Sequence, residues 1–511
     1  MGGSIESRTR SDSHFRADKP VTVKTLHLTN AFNDQSGGIA TFYRALIDAA
    51  NRQGREIRLV APAEADSVEP VGVFGKIYHV RAPRAPLNDR YRLLYPQQFL
   101  FPNGKIQQIL AAERPEVVEI CDKYNLNYLG AVLRLGLIRK IDFRPLVVGL
   151  SCERMDDNFA TYLNARLLER RFCSWYMRWI YFPFFDHHIA VSRHTAEELA
   201  DASTGHAVQR GIWIRHMGVD THGFSPSRRS AATRAWLRAE ASARPDTKLL
   251  LYAGRLAPEK NLGLLVDVVR NLSARGLDCR LILAGDGMDR ERLQVLAEQL
   301  VPGMVCFLGH VGRRDLLADV YANCDVFVHA NPREPFGIAP LEAMASGIPL
   351  VAPDAGGVTS YANQDNAFLA HADEESFCAA VLAALDTNMA HARVAAALKT
   401  AEEFRWEQAT DSYLNLYEAL YRAFRGEPNA EAGTPYALST PATVSRGAAI
   451  SAAAWVAGNV FRLVVNAGSL LRAASRAGEG ERRIRLTEVP QAQRVAGIGP
   501  ENPSVDTLEQ S

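Results

Sequence analysis

Apolar and polar positions follow two rhythms along most of this chain. Short apolar runs at residues 22–29, 56–62, 116–121, 145–150 and 186–191 read as buried strands. Between them, residues 39–53, 125–137 and 194–202 place apolar side chains three and four apart, the spacing of one helix face. Strands alternating with helices predict an α/β unit with a parallel sheet and crossover helices. Residues 221–246 are polar and rich in Arg, Ala and Ser, with Pro226 and Pro245, and read as a bridge. The alternation then restarts, with strands over 248–253, 280–284, 305–308, 326–329 and 348–352 and helices over 262–274 and 290–300. Two Rossmann-like, doubly wound units in series are expected to bind ligands at strand carboxyl ends, in the cleft between the units.

The expected organisation is a disordered lead-in over 1–20, a first domain over 21–220, a linker over 221–246 and a second domain over 247–405. A helix over 406–425 is expected to close the second domain. From Gly426 the chain is dominated by Pro, Ala, Gly and Ser and reads as a low-complexity tail to residue 511. Within it, over 448–476, Asn459, Arg462, Asn466, Ser469, Arg472 and Arg476 recur three or four apart, and Trp455, Val456, Phe461, Val464, Val465, Leu470 and Leu471 fill the rest. A narrow cationic stripe without acid suits a helix lying on an anionic membrane. It suits a helix packed on the protein's own surface equally well. The apolar run between Arg446 and Arg462 is too short to span a bilayer.

Composition narrows the function classes. A chain of 511 residues with 47% hydrophobic and 23% charged positions is globular in type. Its net charge of +1 provides no general attraction for nucleic acid. Seven cysteines without a CxxC pair suit reduced thiols in a cytosol rather than a disulfide or zinc framework. The first residues, with Arg8, Arg10, Arg16 and Lys19, lack the apolar core of a signal peptide. The expected location is therefore cytoplasmic, with peripheral attachment to the inner face of the membrane if the tail helix binds lipid.

The most informative segment is HANPREPFGIAPLEAMASG, residues 329–347. A strand should end near His329, a loop should carry Glu334, and a helix should run from near Gly337 to Gly347. Glu334 then sits on the loop while Glu342 projects from the helix. Carboxylates at a strand end suit bidentate recognition of vicinal hydroxyls on a sugar or ribose. The backbone N–H groups of Phe336, Gly337 and Ile338, at the helix start, can donate to the same ligand.

EPFGIAPLE resembles the E-x7-E motif of the retaining glycosyltransferases of family 4, which have the GT-B fold. The resemblance runs over about residues 21–424. It implies that Glu334 contacts the transferred sugar and Glu342 the ribose of the nucleotide. AGRLAPEKN, residues 253–261, resembles the family's donor diphosphate site, with Arg255 and Lys260 as phosphate ligands. Two fixed cations beside a helix start stabilise the charge that builds on a departing diphosphate. No D-x-D sequence occurs, which fits a metal-independent reaction, and no cofactor is implied. LILAGDG (281–287) resembles the next βα turn, making Gly285 a donor contact, and LGHV (308–311) the loop beside the base. Gly37-Gly38-Ile39 follows the first strand, and by the resemblance Gly38 lies over the diphosphate.

LSCERMDDN, residues 150–158, is similar to the S-H-E-R segment of lipid-directed members, the phosphatidylinositol mannosyltransferases and sulfoquinovosyltransferases. Cys152 stands where that subgroup has histidine, and a thiol is a poor hydrogen-bonding substitute. Arg154 could reach sugar or acceptor, or belong to a salt-bridged loop with Asp156 and Asp157. Residues 81–96 resemble the subgroup's acceptor loop, with Arg81, Arg84, Arg90 and Arg92 as a cationic cluster. Arg170, Arg171 and Arg178 interleave with Trp175, Tyr176, Trp179, Tyr181, Phe182, Phe184 and Phe185, the make-up of either a membrane-facing stripe or a buried helix face. The function expected is retaining transfer of a hexose from a UDP- or GDP-sugar to a membrane lipid or glycan intermediate. A degenerate sugar-nucleotide-binding protein and a GT-B-type sugar-nucleotide epimerase are the alternatives.

Overall fold

The computed structural model describes residues 23–33, 37–85, 91–138, 140–162, 166–203, 211–427 and 434–438. The lead-in 1–20, Arg90 and the expected amphipathic helix 448–476 lie outside these residues, as does the side chain of Arg170.

The first sheet is built from β1 (Thr25–Thr29), β2 (Ile57–Ala63), β3 (Ser67–Val71), β4 (Gly75–Arg81), β5 (Val117–Cys121), β6 (Leu146–Ser151), β7 (His187–Ala190) and β8 (Gly211–Ile214). The second is built from β9 (Lys248–Ala253), β10 (Cys279–Ala284), β11 (Val305–Gly309), β12 (Val326–Val328), β13 (Leu350–Pro353) and β14 (Phe368–Ala370). A last strand, β15 (Ala437–Leu438), returns to pair antiparallel with β8. The spatial orders are β15-β8-β7-β6-β5-β1-β2-β4-β3 and β11-β10-β9-β12-β13-β14. All pairings in the second sheet are parallel. In the first only β3 and β15 run against their neighbours. Leu249, Leu250 and Leu251 of β9 are all buried. Strands covered on both faces by helices read as continuous apolar runs, which is why the sequence shows them plainly.

The order fixes where ligands can bind. Strand β1 lies between β2 and β5, and β9 lies between β10 and β12, so the winding direction reverses beside each. At such a reversal the connections diverge and leave a crevice outside the strand carboxyl ends. The segments after β1, β5, β9 and β12 therefore define the two halves of the cleft.

Three expectations change. Residues 221–246 are not an open bridge: Ala231–Glu240 is a helix, with the Ser230 hydroxyl accepting from the Thr233 amide at its start. Arg228 binds Asp319 and Arg234 binds Asp325, each at 2.8 Å, and these dock the segment on the second domain. The helix Trp406–Phe424 crosses back to the first domain instead of closing the second. Its apolar stripe is covered by the helix Gly37–Gln53, with Phe42 and Tyr413 ring centroids 4.9 Å apart, and Tyr417 donates to the buried Glu119. Thirdly, the tail beyond Gly426 contributes β15, too short and polar in setting to be read from periodicity. The same limit hid β3, an exposed edge strand without an apolar run.

Candidate functional site

Two loops of the second domain meet at its switch point. After β9, Gly254 leads into a tight turn over Pro258–Lys260, and Asn261 in the left-handed region (φ 54°) starts the helix Leu262–Ala274. After β12, the chain runs from His329 through Glu334 to Gly337, whose φ of 89° is the glycine-favouring conformation that starts the helix Ile338–Ala345. The Lys260 ammonium donates to Glu334 Oε2 at 2.7 Å, so the first loop's cation and the second loop's carboxylate are in direct contact. Asn331 Nδ2 donates to the same oxygen at 2.9 Å, and His329 Nε2 lies 3.5 Å from it.

Burial sets the charge state of this cluster. It pushes Glu334 up, but the Lys260 ammonium and His329, together with the hydrogen bonds from Lys260 and Asn331, bring it down to about 2. Burial pushes His329 down to about 4, with Lys260 adding to the effect against Glu334. The cluster is therefore a fixed carboxylate beside a fixed ammonium and a neutral imidazole at neutral pH. Both shifted groups bind fewer protons folded than unfolded. The stability His329 supports is present above its unfolded value of about 6.5 and is lost as pH falls through that value towards about 4. That of Glu334 is lost only below about 4.5, towards about 2. Between pH 7 and 4 His329 is expected to remove about 3 kcal/mol of stability. Urea titrations at several pH values should show a flatter profile for His329→Asn over that window, and an unchanged slope would refute the assignment.

Glu342 lies one helix turn further in, buried, with Arg314 Nη2 at 3.2 Å and the Tyr321 hydroxyl at 3.1 Å. Burial raises its carboxyl above the usual range against the pull of Arg314. Arg255 is partly exposed. It reaches Glu259 at 2.6 Å and, across the cleft, the hydroxyl of Tyr91 at 3.1 Å. Arg333 and Asp157 make a second cross-cleft approach at 4.0 Å. Gly38 opens the helix Gly37–Gln53 opposite Ile338: a Cβ on Gly38 would stand 3.4 Å from Ile338 Cδ1.

The structure thus brings Arg255, Lys260, Glu334, Gly337, Ile338, Glu342 and Gly38 to one cleft. Phe336 enters through its backbone only, since its ring is buried against His216 and Tyr361. Gly285 has a packing reason of its own: a Cβ there would sit 1.8 Å from the Gly254 carbonyl oxygen, so the two βα turns require glycine for close approach. Arg154 is spent within its own loop, gripping Asp156 through Nε at 3.0 Å and Nη2 at 2.7 Å and the His194 carbonyl at 2.9 Å. Of the sequence's two readings for it, the geometry favours the salt-bridged loop. Cys152, at the end of β6, stands 3.6 Å from the Cys121 sulfur at the end of β5.

Sequence reasoning passed over His329, Asn331, Arg314, Tyr321 and Tyr91. His329 and Asn331 lay inside the quoted segment, and their place at a strand end was the available signal. Tyr91 lay inside the stretch 81–96 that resembles an acceptor loop, whereas Arg314 and Tyr321 reach the site from a separate helix that no local pattern marks. Burial divides the aromatic stripe: Tyr176, Tyr181, Phe182, Phe184 and Phe185 are buried, whereas Trp175 and Trp179 are exposed.

Comparison with known proteins agrees with this fold. A family model described as Glycosyltransferase Family 4 matches residues 36–223, and one described as Glycosyl transferases group 1 matches residues 234–400. A GDP-mannose-dependent alpha-(1-6)-phosphatidylinositol dimannoside mannosyltransferase of Mycobacterium tuberculosis is 27% identical over 399 residues, covering 78% of this chain and 97% of that protein. A GDP-mannose-dependent alpha-mannosyltransferase of the same species is 31% identical over 350 residues, covering 66% and 80%. Among solved structures, sucrose-phosphate synthase from Thermosynechococcus elongatus superposes with a TM-score of 0.63 at 19% identity, over 78% of this chain and 100% of that one.

Proposed function

Since the chain belongs to the family 4 glycosyltransferases and has their GT-B fold, we propose that it transfers a mannosyl group from GDP-mannose to a lipid-borne or glycan acceptor, with retention of configuration and without a metal ion. The observation that carries this reading is the contact between the half-buried Lys260 and the buried Glu334 at the second switch point, with Glu342 behind it on the same loop and helix. The donor choice is supported by the two mannosyltransferase relatives, whose names specify GDP-mannose.

In the proposed reaction the bond between sugar C1 and the β-phosphate oxygen breaks while the acceptor oxygen bonds to C1 on the same face. The acceptor proton passes to the departing phosphate oxygen. Lys260 and Arg255 receive the negative charge that this departure builds, and they do so without reorganising, because Glu334 and Glu259 already hold them in place. Glu334 keeps a second oxygen for hydroxyls of the sugar, and Glu342 is set for the ribose diol. The amides of Phe336, Gly337 and Ile338 face the same ligand from a helix start.

Nucleotide selectivity tests the donor. A ligand bound only by the folded state stabilises it by mass action, by about 2.7 kcal/mol at a hundredfold excess over its dissociation constant. GDP is expected to raise the melting temperature more than UDP or ADP at equal concentration. A larger shift with UDP or ADP would reject GDP-mannose as donor. A β-linked product, read by the one-bond coupling between C1 and H1 of the mannosyl residue, would reject retention.

A further inference from the structure

Beyond the cleft, one surface has a composition the transfer chemistry does not use. The helix Arg166–Tyr176 widens into a π turn over Met177–Tyr181, a distortion frequent at functional sites. Tyr176, Met177, Ile180 and Tyr181 of this segment are buried. Phe172, Trp175 and Trp179, three and four residues apart, form the other face and are 40%, 41% and 55% exposed. Single exposed apolar residues are ordinary, but here three large rings share one helical stretch and two of them are in contact. Phe172 and Trp175 have centroids 6.1 Å apart, and Phe172 lies at the same distance from Phe159 on the neighbouring helix Met155–Tyr162. That helix begins at the cleft end of β6 and runs beside the Pro258–Lys260 turn. The aromatic face is therefore joined to the donor site by one short helix.

We propose that this face docks the protein on an anionic lipid bilayer, so that an acceptor headgroup enters the cleft along the helix Met155–Tyr162. The proposal rests on the reading of the acceptor as lipid-borne. Tryptophan rings favour the headgroup level of a membrane, where an apolar body meets polar surroundings. Arg171 is exposed next to Phe172, and Arg178 flanks Trp179, with its guanidinium 3.4 Å from the Asp201 carbonyl oxygen. Cations at the same level as the rings fit lipid phosphates. Of the acids on the adjoining helix Arg193–Ser203, Glu197 is paired with Arg193 at 3.3 Å and does not oppose an anionic surface alone.

The test is co-sedimentation of the full chain with vesicles of phosphatidylglycerol and phosphatidylcholine in equal parts. Wild type should partition to them, and a Phe172→Ser, Trp175→Ser, Trp179→Ser variant should bind at least roughly tenfold more weakly. Donor hydrolysis by that variant without vesicles should match wild type. To guard against misfolding, a Trp175→Phe, Trp179→Phe variant should still bind, yet lose the quenching of tryptophan fluorescence that brominated lipid causes in wild type. Failure of wild type to bind, undiminished binding by the serine variant, or retained quenching in the phenylalanine variant, which would point to another tryptophan such as Trp236 or Trp455, each overturns the proposal. Aromatic-dependent capture of a protein with no vesicle binding overturns it too. None of these outcomes touches the enzyme reading, which fails separately if wild type releases no GDP from GDP-mannose with any acceptor.

Discussion

Replacing Lys260 with alanine is expected to lower sugar transfer by roughly 100- to 1000-fold at saturating donor, the scale of removing one preorganised charge donor. The ammonium lies at a switch point, mostly buried, 2.7 Å from Glu334. Little water is there to take its place when charge develops on the leaving phosphate. The substitution also strips a buried carboxylate of its cation, so some loss of stability must be separated from the loss of chemistry. A Lys260→Ala, Glu334→Gln double variant does this. Neutralising the carboxyl should restore most of the lost stability while turnover stays low, because Arg255 alone then receives the phosphate charge and Glu334 no longer offers a carboxylate to the sugar. Turnover of Lys260→Ala within a few-fold of wild type, measured below its melting temperature, would remove Lys260 from the reaction. Recovery of turnover along with stability in the double variant would reduce its role to holding Glu334.

The two-domain α/β architecture was legible because its central strands are buried on both faces, and their apolar runs survive in a single sequence. So was the core of the proposed donor site. Arg255, Lys260, Glu334 and Glu342 lie on two short strand–loop–helix segments, where local punctuation by glycine and proline fixes the geometry. What escaped depends on contacts distant in the chain. The path of the helix Trp406–Phe424 is decided by Glu119 and Phe42, nearly 300 and more residues earlier, which no periodicity records. Gly285, a donor contact by resemblance, shows another limit: a glycine between strand and helix has the same appearance whether it admits a phosphate or a neighbouring carbonyl, and here it faces the Gly254 carbonyl. Arg154 was undecidable for a similar reason: its carboxylate partner is a near neighbour, and only the direction of the guanidinium, towards Asp156 and the distant His194 carbonyl, distinguishes a salt bridge from a substrate contact.

The second large effect concerns such a distant pair, on the acceptor side of the cleft. Glu198→Ala is expected to destabilise the fold by about 3–5 kcal/mol, the cost of leaving a buried charge without its partner. Lys123, 1% exposed at its side chain, sits just past β5 and donates to Glu198 at 2.5 Å and to the Glu153 carbonyl. The other Glu198 oxygen accepts from the Met155 amide at 2.7 Å, at the start of the helix Met155–Tyr162. One carboxylate thus neutralises a buried ammonium and anchors the helix that leads to the Pro258–Lys260 turn. Removing both charges tests this account. A Lys123→Met, Glu198→Gln variant should regain more than half of the lost stability in urea titrations, since the glutamine oxygen can still accept from the Met155 amide while no ammonium is stranded. A Glu198→Ala protein within about 1 kcal/mol of wild type would show that water reaches the ammonium. The pair would then behave as a surface ion pair, and the helix would owe its position to its apolar packing.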